Sequence, residues 1–202
     1  MRTEECRKRI RGVRGGAVVV DSTRTLYGWN DRPYPAYYFP RDDVRLDLLA
    51  DDQWRETPEG LVNIRWSAMD HWFEEDEEVI VHPRDPHTRV DILASSRRVR
   101  VDIDGVTVAE SDQPRILFET GLPPRYYLPL TALRMDLLRP STSHTQCPYK
   151  GTASYWSVEV NGRLHEDIAW TYPTPLPESQ KIAGLVCFYN HRVDLLIDGV
   201  RE

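Results

Sequence analysis

Cys147, Tyr149 and Lys150 place a thiol, a phenol and an amine within four positions, in the stretch TQCPYKGTASYW (145–156). A thiol near an ammonium has a lowered pKa and is a better nucleophile. In a tight turn Cys147 and Lys150 could approach each other. Tyr149 would donate to a developing oxyanion. Lys150 would hold a carboxylate or phosphate or, if desolvated, form an imine. Structural roles compete with each of these: Cys147 as a small buried hydrophobe, Tyr149 as packing, and Lys150 paired with Asp136 or Glu166.

Aromatic residues form a second signal. Tyr126, Tyr155, Trp156, Trp170 and Tyr172 are expected to wall a small-molecule site around the first three residues. Tyr155 and Trp156 must face opposite sides of a strand, so one belongs to the core and the other is available. His144, Cys147, Cys187 and His191 are of types that suit tetrahedral zinc. Cys187, however, falls within an expected helix, and HEDIAW (165–170) has no second histidine at metalloprotease spacing. No metal and no cofactor are assigned. The acidic run DHWFEEDEEVIVHPRDPH (70–87) reads as a solvated loop.

These residues need a scaffold. The chain has 202 residues, enough for one large domain or two small ones. Its net charge of −6 argues against a basic field for nucleic acid or anionic membrane. Only Lys8, Lys150 and Lys181 are lysines, so arginine supplies most of the positive charge. Three cysteines form no disulfide framework, the start MRTEECRKRI has no signal-peptide core, and no apolar run reaches membrane length. A reducing cytoplasm is the expectation.

The chain also repeats itself. AYYFPRDDVRLDLL (36–49) returns as RYYLPLTALRMDLL (125–138), with Tyr37, Tyr38, Pro40, Arg45, Asp47, Leu48 and Leu49 echoed by Tyr126, Tyr127, Pro129, Arg134, Asp136, Leu137 and Leu138. RWS (65–67) is set over YWS (155–157), and FEED (73–76) over LHED (164–167). A duplication follows, with the boundary placed at the polar break ASSRR, giving domains 1–97 and 98–202. Opposite TQCPYKG the first copy has RETPEG (55–60), without the cysteine, tyrosine and lysine. Recurrence of the Arg45–Asp47 and Arg134–Asp136 pairs points to a structural tie between a short helix and the sheet.

The local patterns are mainly β. RVRVDIDGVTVAES (98–111) alternates with period two, and Asn161-Gly162 predicts a hairpin. Asp42 and Thr131 are candidate helix caps, and PLPESQKIAGLVCFY (175–189) predicts a helix opened by Pro177. The expected architecture is two small β-rich domains, each with one or two short helices.

The run from YYLP and LRMDLL through TQCPYKGTASYWSVEVNGRLHEDIAWTYPTPLP to FYNHRVDLLIDG resembles the domain-of-unknown-function family 427, which also carries a nucleotidyltransferase-like label. The resemblance covers the second copy, with the first as a diverged version. It implies a β-tent-like fold, also seen in methionine sulfoxide reductase B and cereblon-type ligand-binding domains. It implies no reaction, and the chain shows neither a glycine-rich phosphate loop nor a carboxylate cluster of the kind phosphoryl chemistry uses.

The expected function is a cytoplasmic protein with a small-molecule site in the second repeat, acting as an enzyme or binder on a small polar or anionic metabolite through Cys147, Tyr149 and Lys150. The alternative is a non-catalytic module whose aromatic surface receives a ligand or protein segment. No nucleic-acid or membrane partner is expected, and a homo-oligomer is compatible with the sequence.

Overall fold

The computed structural model describes residues 2–30 and 32–202. The chain is mainly β and divides into two compact units, one ending at Pro86 and the other beginning at His87. The first contains β1 (Arg2–Glu5), β2 (Ile10–Arg14), β3 (Ala17–Ser22), β4 (Leu26–Trp29), β5 (Ala36–Pro40), β6 (Trp54–Glu56), β7 (Leu61–Ile64), β8 (His71–Glu74) and β9 (Glu77–Val79). They form two antiparallel sheets, β1-β4-β5-β7-β6 and β3-β2-β8-β9. Between them lies a core that includes Ile10, Val20, Tyr37, Phe39, Val62 and Trp72.

The second unit contains β10 (Val90–Ala94), β11 (Val99–Ile103), β12 (Val106–Ser111), β13 (Arg115–Glu119), β14 (Arg125–Leu128), β15 (Leu138–Cys147), β16 (Gly151–Val160), β17 (Arg163–Thr171), β18 (Val186–Phe188), β19 (Asp194–Ile197) and β20 (Val200–Arg201). Its sheets are β10-β13-β14-β18-β17-β16-β15 and β12-β11-β19-β20. The alternation in β11 does what a half-buried strand requires: Val99, Val101 and Ile103 point into the core while Arg100 and Asp102 pair outside it. Asn161-Gly162 closes β16 onto β17 with φ of 52° and 74°, the double left-handed geometry of a tight hairpin turn.

Three expectations change. The break at 95–98 lies inside the second unit, because β10 pairs with β13 and buries Ile92. The segment 175–189 is not one helix. Pro177–Ile182 is a 3-10 turn, Gly184 reverses the chain at φ 68°, and Val186–Phe188 becomes a fully buried strand between β14 and β17. A short apolar run has no periodicity that separates buried helix from buried strand. Asp42 and Thr131 cap nothing: Arg41–Asp43 and Leu130–Ala132 are single 3-10 turns that follow Pro40 and Pro129. These turns cannot extend into α-helices because the amides of Arg45 and Arg134 donate to Val19 and Val108 at 2.8 Å. That backbone link ties the segment to the sheet. The Arg45–Asp47 and Arg134–Asp136 side-chain pairs are exposed and local, where such pairs contribute little.

The strand orders β1-β4-β5-β7-β6 and β10-β13-β14-β18-β17 correspond, and Phe39 faces Val62 as Leu128 faces Val186. In this correspondence β15 and β16 have no counterpart in the first unit. RETPEG belongs to β6 and its turn into β7, which match β17 and β18, so its placement opposite TQCPYKG is corrected. Trp66 likewise sits in a 3-10 turn matched by Asn190–Arg192, whereas Trp156 sits in β16.

Gly12 of β2 sits between Val20 of β3 and Trp72 of β8, whose side chains close over it together with Met69. A Cβ there would stand 2.9 Å from Val20 Cγ1, 3.0 Å from Met69 Sδ and 3.1 Å from Trp72 Cζ3. Gly12→Ala is expected to destabilise the first unit by about 1–3 kcal/mol, read as a lower denaturant midpoint.

Candidate functional site

The CPYKG motif is a hairpin turn. Cys147, the last residue of β15, pairs with Gly151, the first of β16, and Pro148, Tyr149 and Lys150 span the reversal. Gly151 takes φ 95°, a conformation that a residue with a side chain adopts only under strain. The turn is clamped from that side: Leu176 N–H donates to Lys150 O at 3.1 Å, and Ser179 Oγ donates to Tyr149 O at 3.0 Å.

Lys150 Nζ donates to Glu119 Oε2 at 2.5 Å, with both side chains only 11% exposed. Its partner is therefore neither Asp136 nor Glu166, and its ammonium is committed to Glu119 at the end of β13. Tyr149 is buried by the same turn. Cys147 is partly buried and packs with Tyr155, Leu185 and Tyr189 around Trp170, Tyr172, Ile182 and Cys187.

The seven-stranded sheet divides the expected aromatic wall. Tyr126 packs in the inner core, and Trp156 packs against that core. Tyr155, Trp170 and Tyr172 lie on the opposite, outer face with Cys147. Adjacent residues of β16 do face opposite sides, as Tyr155 and Trp156 must. On the outer face Trp170 Nε1 donates to Tyr127 OH at 3.1 Å, and Tyr189 packs over Trp170 with ring centres 4.6 Å apart. Tyr189 OH donates to Tyr155 OH at 3.4 Å, and Tyr155 OH bonds Thr145 Oγ1 at 2.9 Å. Arg125 stacks its guanidinium 5.7 Å from the Trp170 ring.

Burial governs the titration of these groups. It pushes the Cys187 thiol up to about 12 and the Tyr189 phenol up to about 12, the latter helped by its bond to Tyr155. Burial also raises Tyr172 well above the ordinary phenol range, with Cys147 and Tyr155 adding to the effect. These side chains are neutral at physiological pH and act as hydrogen-bonding or packing groups.

Cys187 is fully buried and donates to Phe188 O at 3.6 Å, while His144 is exposed beside Ser154. Among the described residues no group of three or more His, Cys, Asp or Glu side chains gathers as metal ligands. Sequence reasoning missed Glu119, Tyr127 and Tyr189 as members of the site. Glu119 carries no local signal: it precedes Lys150 by 31 residues and lies on β13, a strand that pairs with neither β15 nor β16.

The fold and the buried hairpin turn define a mainly β protein of two compact units, the second bearing a clamped CPYKG turn beside an aromatic sheet face. A family model described as a domain of unknown function, DUF427, matches residues 2–60 and 91–199, and the chain belongs to that family. The two matched stretches begin in β1 and β10, which hold corresponding places in their sheets. No curated protein matches the chain.

Removing one partner of a buried ion pair leaves the other charge uncompensated. Lys150→Ala is expected to lower stability by about 3–5 kcal/mol in denaturant melts, and Lys150→Met with Glu119→Leu to recover most of that loss. Iodoacetamide should label Cys147 in the folded protein well before Cys6 and Cys187, both under 2% exposed, as read by peptide mass spectrometry.

Proposed function

We propose that the chain is a small-molecule-binding protein built by tandem duplication, with a ligand site on the outer sheet face of its second unit. One observation carries this reading: Tyr155, Tyr189 and Thr145 join their hydroxyls at the partly open edge of a ring cluster floored by Trp170 and Tyr172. Apolar walls with a few placed polar groups are what a small polar ligand needs. Tyr155 and Tyr189 supply donors and acceptors, Arg125 supplies positive charge above Trp170, and Cys147 stands at the edge. Lys150 and Glu119 hold the turn in place instead of meeting the ligand.

If the site performs chemistry, Cys147 is the nucleophile. It is the one cysteine of the three that is not fully buried. Free thiols at Cys6, Cys147 and Cys187 fit a reducing cytoplasm. No helix among the described residues is long and apolar enough to cross a membrane.

Native mass spectrometry of gently purified full-length protein tests the reading. A mass surplus lost on denaturation is expected, and Tyr155→Phe should reduce the loaded fraction severalfold, since one hydrogen bond contributes about 0.5–1.5 kcal/mol. A surplus that survives denaturation on the Cys147 peptide would instead establish covalent chemistry. A loaded fraction unchanged in Tyr155→Phe would remove the site from this face.

A further inference from the structure

We propose that the first unit holds a second, independent small-molecule site, for a planar aromatic ligand that carries an anionic group. The first unit contains a cavity of about 400 Å³, within the range of small-ligand sites. It lies against the five-stranded sheet, and the strand registers explain why it exists.

In the second unit the corresponding face bears Leu117, Tyr127, Trp170 and Cys187, and the turn Pro177–Ile182 covers it with Ile182. In the first unit β15, β16 and that turn have no counterpart. A tight turn from Thr57 to Leu61, closed by Thr57 N–H donating to Leu61 O at 2.8 Å, replaces the long connection between β17 and β18. The residues change accordingly. Tyr38 stands where the other unit has Tyr127, but Gly28 replaces Leu117, Asn63 replaces Cys187 and Arg55 replaces Trp170. A filled apolar face has become an open, polar one, and all four of these residues line the cavity.

The remaining walls are rings. Trp66 is the partly open ring, backed by the core ring Trp72 with centres 5.3 Å apart and Trp72 Nε1 donating to Trp66 O at 3.0 Å. Tyr34 and His82 stack at 3.8 Å on another side. Flat aromatic walls favour a flat aromatic guest. The charge is equally specific. Arg32, Arg55 and Arg65 line the cavity against a single aspartate, Asp52. Arg65 meets Asp52 only at 3.6 Å with both side chains over half exposed, and Arg55 makes no ion pair among the described residues. In a chain of net charge −6 this is a local positive field, and guanidinium forks suit carboxylate and phosphate.

Calorimetry and tryptophan fluorescence on the full chain test the proposal with indole-3-acetate and adenosine 5′-monophosphate. Each is compared with its uncharged counterpart, indole-3-acetamide or adenosine. At least one anion should bind at least tenfold more tightly than its neutral partner. Arg55→Gln with Arg65→Gln should weaken it at least tenfold at an unchanged thermal midpoint, because both side chains are exposed. Tyr155→Phe, which alters only the second-unit face, should leave this binding intact. No binding of either anion at millimolar concentration, equal binding of the neutral compounds, indifference to the double substitution, or loss in Tyr155→Phe would each overturn the proposal.

Discussion

Burial of a charged turn constrains the second unit more than any other interaction. The outer face of the seven-stranded sheet is apolar and needs a cover, and the CPYKG turn provides part of one. Bringing a lysine under cover is costly unless its charge is met. Glu119 meets it at 2.5 Å, and Ser179 Oγ and the Leu176 amide satisfy the carbonyls of Tyr149 and Lys150. The glycine that follows takes a positive φ that a residue with a side chain would adopt only under strain. Each residue of the motif thus has a positional reason. The ring cluster of Trp170, Tyr172 and Tyr189 is held in place by the segments that this turn anchors.

The first unit solves a related problem inside its core. Glu74 is buried on β8, accepting Lys8 Nζ at 2.7 Å and Tyr37 OH at 2.9 Å. The acidic run 70–87 is therefore not wholly a solvated loop: its first third forms β8 and turns a carboxylate inward. Two of the three lysines in the chain, Lys8 and Lys150, are held by glutamates. An ammonium on a flexible stem can reach a single buried carboxylate as a point charge, where a guanidinium would demand more partners.

Much of the scaffold was legible because it depends on neighbours in sequence. Alternation at 98–111 and the Asn161-Gly162 turn are local rules, and both operate in β11, β12 and the β16–β17 hairpin. The split of Tyr155 from Trp156 is also local, following from side-chain alternation alone. What was not legible depends on contacts between residues far apart in the sequence. The partner of Lys150 lies on β13, and the fate of Val186–Phe188 is decided by β14 and β17 on either side of it. The likeness of RWS to YWS misled for the same reason. Three similar residues carry no information about which strand they will pair with, and only register places Trp66 in a turn and Trp156 in a sheet.

Strand register also changes what the first unit means. Its lack of CPYKG reads in sequence as a motif eroded in place. In the fold the whole hairpin is missing, and so is the long connection that would accompany it. Losing a cover while keeping an apolar face would expose a patch prone to association. The first unit instead carries Gly28, Asn63 and Arg55 on that face, which are compatible with water and with an anion. A face that has no covering turn and carries Gly28, Asn63 and Arg55 where the corresponding face of the second unit carries Leu117, Cys187 and Trp170 can meet water without a cover.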